Sequence, residues 1–83
     1  IILSLIHLLY TMKKVKKIKI RLNGKIKSIP TNYKIITLIK NLDIPLKKVA
    51  IELNQEIIDK KKVNKIKLKK NDKVEIVHFI GGG

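Results

Sequence analysis

The sequence predicts an α+β domain, a mixed four- to five-stranded sheet with one main helix on one face. Apolar and polar residues alternate at Ile18, Ile20 and Leu22, and again at Val49, Ile51 and Leu53, which is the period of a half-buried strand. Ile35, Leu38, Ile39 and Leu42 recur at i, i+3, i+4 and i+7, which draws one apolar stripe along a helix. With 83 residues there is material for a single core, and too little to enclose a deep substrate pocket as well. An enzyme acting alone is therefore not expected.

The elements follow in order. Residues 1–11 hold eight apolar residues and no charge, and Lys-rich sequence comes directly after them. A secretory signal carries its positive residues ahead of the apolar stretch, and a membrane span needs roughly 17 or more apolar residues, so this stretch is neither. Met12 offers a natural initiator. Residues 1–17 are thus expected to be an extension outside the fold, residues 18–80 the domain, and residues 81–83 a flexible glycine tail. After the first strand, Asn23-Gly24 supplies two residues that tolerate positive φ, as a tight hairpin turn requires. In the returning strand Ile26 and Ile29 break parity, which predicts a bulge or an early strand end near Pro30. Thr31 or Asn32 is placed to cap the helix, and Asp43 to Pro45 to end it, since the residue before a proline disfavours helical geometry.

A third strand at Val49 to Leu53 turns at Asn54-Gln55 into a short fourth at Glu56 to Ile58. Residues 60–73 then contain eight Lys, interrupted by Val63, Ile66 and Leu68, which can tack the segment onto the core. Asn71-Asp72 turns the chain into a last strand from Lys73 to Phe79. Strand, strand, helix, strand, short strand, strand is the β-grasp arrangement of ubiquitin-like proteins.

Twenty Lys and Arg against six Asp and Glu give a net charge of +14, which ordinarily points to a polyanionic partner. The kind of cation argues otherwise. Only Arg21 is Arg, whereas base recognition leans on the bidentate guanidinium, and Tyr10, Tyr33 and Phe79 are too scattered for a base-stacking platform. Nineteen Lys and 17 Ile suit codon bias in an AT-rich genome, with Lys at exposed and Ile at buried positions. Neither nucleic acid nor membrane is an expected partner. Without cysteine there are no disulfides, thiolate metal sites or thiol nucleophiles, and His7 and His78 lack a second ligand at metal-binding spacing, so no metal site is expected.

The informative end is the last one. Val74 and Ile76 are assigned to the helix side of the final strand, which leaves Val77 and Phe79 on the uncovered face as an apolar docking patch, unless the segment from Lys60 to Lys70 folds over them. Gly81, Gly82 and Gly83 come next, a tether of at most ~10 Å that fits a passage too narrow for any Cβ. An α-carboxylate, with a reference pKa of about 3.3 to 3.7, resists nucleophiles, so another enzyme must activate it. Attachment of AMP removes the charge and supplies a leaving group that a sulfur nucleophile can displace.

These residues resemble the ThiS family of sulfur carriers in thiamine biosynthesis. The likeness lies in Ile20-Arg21-Leu22-Asn23-Gly24, in the stretch from Val49 to Ile58, and most specifically in Asn71-Asp72-Lys73-Val74-Glu75-Ile76-Val77-His78-Phe79-Ile80-Gly81-Gly82-Gly83. The sequence departs from the family in its N-terminal extension and in Asn71, where Gly is commoner. The resemblance implies a carrier with no catalytic residues of its own. Gly83 would be adenylated by an E1-like activating enzyme (ThiF type) using ATP and magnesium, then thiocarboxylated with sulfur from a donor such as a cysteine desulfurase. Thiazole synthase (ThiG type) would receive the sulfur, and Gly81 and Gly82 would form the slender arm.

The related molybdopterin-synthase carrier subunit shares fold and tail chemistry but usually has a Pro-rich apolar stretch before its diglycine, absent here. A lysine-rich nucleic-acid-binding domain is the alternative of another class, and a covalent protein modifier a third. The free carrier is expected to be a monomer. The Ile and Lys bias places it in a plastid stroma or, alternatively, a bacterial cytoplasm.

Overall fold

A computed structural model of the chain describes residues 2–13 and 16–79. It contains helix α1 (Ile2–Lys13), strands β1 (Lys17–Leu22) and β2 (Lys25–Pro30), helix α2 (Ile35–Asn41), strands β3 (Val49–Leu53) and β4 (Glu56–Ile57), and strand β5 (Lys73–His78). Short 3-10 turns stand at Leu46–Lys48 and Lys60–Lys62. The five strands form one mixed sheet in the order β2-β1-β5-β3-β4. β5 is parallel to β1 and antiparallel to β3, so the last strand of the chain lies at the centre. This is a β-grasp domain.

The alternating residues form the core as their period requires. Ile20, Ile29, Val49, Ile51, Val74 and Ile76 face α2, whose Ile35, Leu38 and Ile39 are buried against them. Val63 and Leu68, from the Lys-rich segment, complete the cluster, and Ile66 packs at its edge. The segment therefore serves the helix side of the sheet.

The structure decides between two alternatives at the hairpin and differs from the sequence-based expectation at the start of the helix. Of the two outcomes expected in the returning strand, the structure has the strand end, with β2 closing at Pro30, and no bulge: the hairpin pairs residue for residue from Lys17↔Pro30 to Leu22↔Lys25. Ile29 faces the core while Ile26, opposite Arg21, lies on the other face and is 65% exposed, so the break in parity marks a residue on the open side of the sheet. The helix is capped by neither Thr31 nor Asn32. Its N-cap is Lys34, which makes no side-chain capping bond; the Ile35 and Ile36 N–H groups donate to the carbonyls of Ile66 and Val63. Tertiary backbone acceptors thus satisfy donors that a capping side chain would otherwise meet. Part of the N-terminal segment is helical: α1 forms, and every side chain from Ile2 to Leu9 is exposed.

The turns were chemically legible. Asn23 and Gly24 take φ of 50° and 81°, both positive as a twisted two-residue hairpin demands. Asp43 ends α2 at φ 55°, the left-handed position usually given to Gly, just before Pro45. Tyr33 packs against the core, and its hydroxyl accepts a hydrogen bond from the Asn41 side-chain amide.

Candidate functional site

β5 is fixed along its whole length by groups that alternation alone does not reveal. At its start the Asp72 carboxylate accepts hydrogen bonds from the Lys69 N–H (2.7 Å) and from Asn54 Nδ2 (3.0 Å), while Asn54 Oδ1 accepts from the Lys73 N–H (2.9 Å). Halfway along, β5 outruns β1, whose register ends at Leu22↔Val74. There the hairpin turn takes over: the Asn23 N–H donates to the Val74 carbonyl at 2.9 Å, and the Ile76 N–H donates to Asn23 Oδ1 at 2.8 Å. Beyond the strand the Phe79 N–H donates to the Lys48 carbonyl at 2.7 Å. Hydrogen bonds thereby anchor the backbone from Asp72 to Phe79, the last described residue before the glycines.

Val77 and Phe79, the expected docking residues, are 57% and 48% exposed at this end. The Lys60 ammonium stands 5.7 Å from the centre of the Phe79 ring and also reaches the Lys47 carbonyl, so it caps one side of the ring. Of the segment that could have covered the pair, Lys60 is the residue seen at the ring; Val63 and Leu68 are turned into the core. Lys61, Lys62, Lys65, Lys67, Lys69 and Lys70 are exposed. Gly81, Gly82 and Gly83 lie outside the described residues.

Strand register assigns the remaining residues of the open face. Val77 lies opposite Ala50, and Glu75 opposite Glu52, which in turn faces Ile57 on β4. Toward the other edge Lys73 is level with Arg21, and Arg21 with Ile26. The face is therefore divided: cations on the β1 side, two directly opposed carboxylates on the β3 side, and apolar groups at Ile26, Ile57 and Val77. Neither Glu52 nor Glu75 has an ion-pair partner among the described residues. Directly opposed like charges cost stability in an antiparallel pair. The sequence reading did not find Glu52, Ile57 or Ile26 on this face; the signal was the alternation phase of each strand, readable only once the pairing register is known.

The cavities bordered by described residues are small. Cavities bordered by Lys19, Arg21 and Asn71, by Asn54 and Lys73, and by Lys40 and Pro45 measure about 160, 260 and 290 Å³, below the ~300–1,000 Å³ of typical ligand sites. Among the described residues no three His, Asp or Glu side chains gather as a metal site. No described helix is long and apolar enough to cross a membrane.

A ubiquitin-like β-grasp domain with an exposed apolar end to its central strand is the class these features define. Residues 20–83 match the model of the ThiS family, and the chain belongs to that family. It is 38% identical over 65 residues to a Bacillus subtilis protein named sulfur carrier protein ThiS, covering 77% of this chain and 98% of that one. Proteins named thiazole synthase from Paramagnetospirillum magneticum and Magnetococcus marinus are 35% and 34% identical over 65 residues. The chain spans about a fifth of their length, 20% in each case. The crystal structure of thiamine biosynthesis protein ThiS from Geobacter metallireducens superposes with a TM-score of 0.69 at 26% identity, covering 80% of this chain and all of that one.

Proposed function

We propose that this chain is a sulfur carrier for thiamine biosynthesis, with Gly83 as the residue that carries the sulfur. The observation that supports this most is the hydrogen-bonded β5, whose exposed Val77 and Phe79 are followed, after Ile80, by a run of glycines. The domain offers a docking surface and a narrow arm, and the catalysis belongs to its partners. The carrier is a cosubstrate.

In the first step the Gly83 carboxylate attacks the α-phosphorus of ATP on an E1-like activating enzyme, which supplies the magnesium; pyrophosphate leaves and an acyl-adenylate forms. The outer sulfur of a persulfide charged by a cysteine-desulfurase type donor then displaces AMP to give an acyl disulfide, and a second thiol attacks the inner sulfur, leaving the thiocarboxylate on Gly83 and a disulfide between the two thiols. Thiazole synthase takes that sulfur. The names of two relatives support the last pairing, because a stretch similar to this chain makes up a fifth of each protein called thiazole synthase. Val77 and Phe79 dock against the activating enzyme, and the exposed lysines of residues 60–70 steer the approach toward an acidic surface. The Ile and Lys bias favours a plastid stroma as the compartment.

The test in cells uses a strain lacking its own carrier. The chain should restore growth without thiamine, and the chain with one bulky residue added after Gly83 should not. Growth supported by the extended chain, with mass analysis showing that the addition is retained, would overturn the proposal.

A further inference from the structure

From Ile2 to Leu9 the side chains of α1 take no part in the core, and the apolar ones among them are bare. Ile2, Leu3, Leu5, Ile6, Leu8 and Leu9 are between 48% and 81% exposed. Ser4 and His7, three residues apart, mark one narrow polar side, and leucines and isoleucines occupy the rest of the described circumference. An apolar surface of this kind in water calls for a partner. At ~1.5 Å per residue the twelve residues of the helix carry this apolar surface over about 18 Å.

The charge of the adjoining segment selects the partner. Lys13, Lys14, Lys16, Lys17 and Lys19 come directly after the apolar run, and no Asp or Glu precedes Asp43. A second copy of the chain would bring two such unbalanced cationic segments together, whereas anionic headgroups neutralise them. Stable surface binding generally takes two signals, an inserted apolar group and a polybasic patch, and both are contiguous here.

We propose that α1 and the lysines Lys16, Lys17 and Lys19 that follow it form a binding element for an anionic lipid surface. The apolar side chains of the helix enter the acyl chains, and the lysines sit among the headgroups. The sheet register makes this compatible with an accessible C-terminal end. Because Arg21 is level with Lys73 in the parallel pair β1–β5, Lys17 is level with residue 69, nine positions before His78. At ~3.3 Å per residue the chain enters the sheet about 30 Å from where β5 ends. The proposal does not depend on the sulfur-carrier reading.

The full-length chain is sedimented with vesicles of phosphatidylcholine alone and of phosphatidylcholine mixed with phosphatidylglycerol. It should bind the mixed vesicles at least tenfold more tightly. The I6D/L9D double substitution changes exposed positions only and should reduce that binding at least tenfold with the domain still folded. K16Q/K17Q should also reduce it at least tenfold, since each lysine near such a surface contributes roughly fivefold. Binding that ignores the aspartates or the lysine changes, equal binding to both vesicle types, or self-association through α1 without lipid binding would each overturn the proposal.

Discussion

Asn23 is the residue through which the hairpin turn holds β5, and replacing it tests how the site is positioned. Asn23→Gly keeps the positive φ of 50° easy to adopt and removes the acceptor that the Ile76 N–H reaches at 2.8 Å. Ile76 is 8% exposed, so its amide would be left with little access to water. An unpaired buried donor costs about 1–3 kcal/mol, partly offset by relief of the left-handed strain that Asn bears and Gly does not. The expected net loss is about 1–2 kcal/mol, a fall in Tm of about 4–16 °C for a domain of this size. Urea or thermal unfolding followed by circular dichroism gives the number, and hydrogen exchange at the Ile76 amide localises it. Gly24→Ala is the control: its Cβ would meet nothing within 4 Å, so its cost comes from the φ of 81° alone and should leave the Ile76 amide protected. An Asn23→Gly chain as stable as the parent, with an equally protected Ile76 amide, would refute the clasp.

Phe79→Ser, at a half-exposed ring, should weaken binding to the activating enzyme by about fivefold or more while Tm changes little, as titration calorimetry would show; unchanged affinity removes Phe79 from the docking patch. Glu52→Gln should raise stability by about 0.2–1 kcal/mol at low salt by relieving the opposed Glu75, with the gain shrinking in about 1 M salt. Leu38→Ala, at a fully buried position of α2, should cost about 2–5 kcal/mol in urea unfolding, and a cost under about 1 kcal/mol would contradict the packing described.

Much of the architecture could be read from residue periods, because a small sheet with one helix has one buried face and the burial pattern is forced. Ile20, Ile51, Val74 and Ile76 showed their side of the strand in the alternation, and Ile35, Leu38 and Ile39 showed theirs in the helical stripe. Where a residue's role depends on a neighbour distant in sequence, the reading failed. Ile26 looked like a break in parity because its exposed face has no local signature. The start of α2 looked as if it needed Thr31 or Asn32, yet its donors are met by carbonyls some 30 residues onward, at Ile66 and Val63. Asn23 was recognised for its φ and not for the bond its side chain makes to Ile76, 53 residues away. The exposure of Val77 followed from having one helix for two sheet faces; the Glu52–Glu75 opposition beside it required the register.

The central claim, that Gly83 ends in an activatable carboxyl group, meets its most direct test in intact-mass analysis. The chain is incubated with ATP, magnesium, the activating enzyme and a sulfur donor. Exchange of one terminal oxygen for sulfur adds about 16 Da, and fragmentation should place the change at Gly83. A mass that stays unchanged under conditions where a known ThiS is converted, or a gain located anywhere other than the last residue, would contradict it.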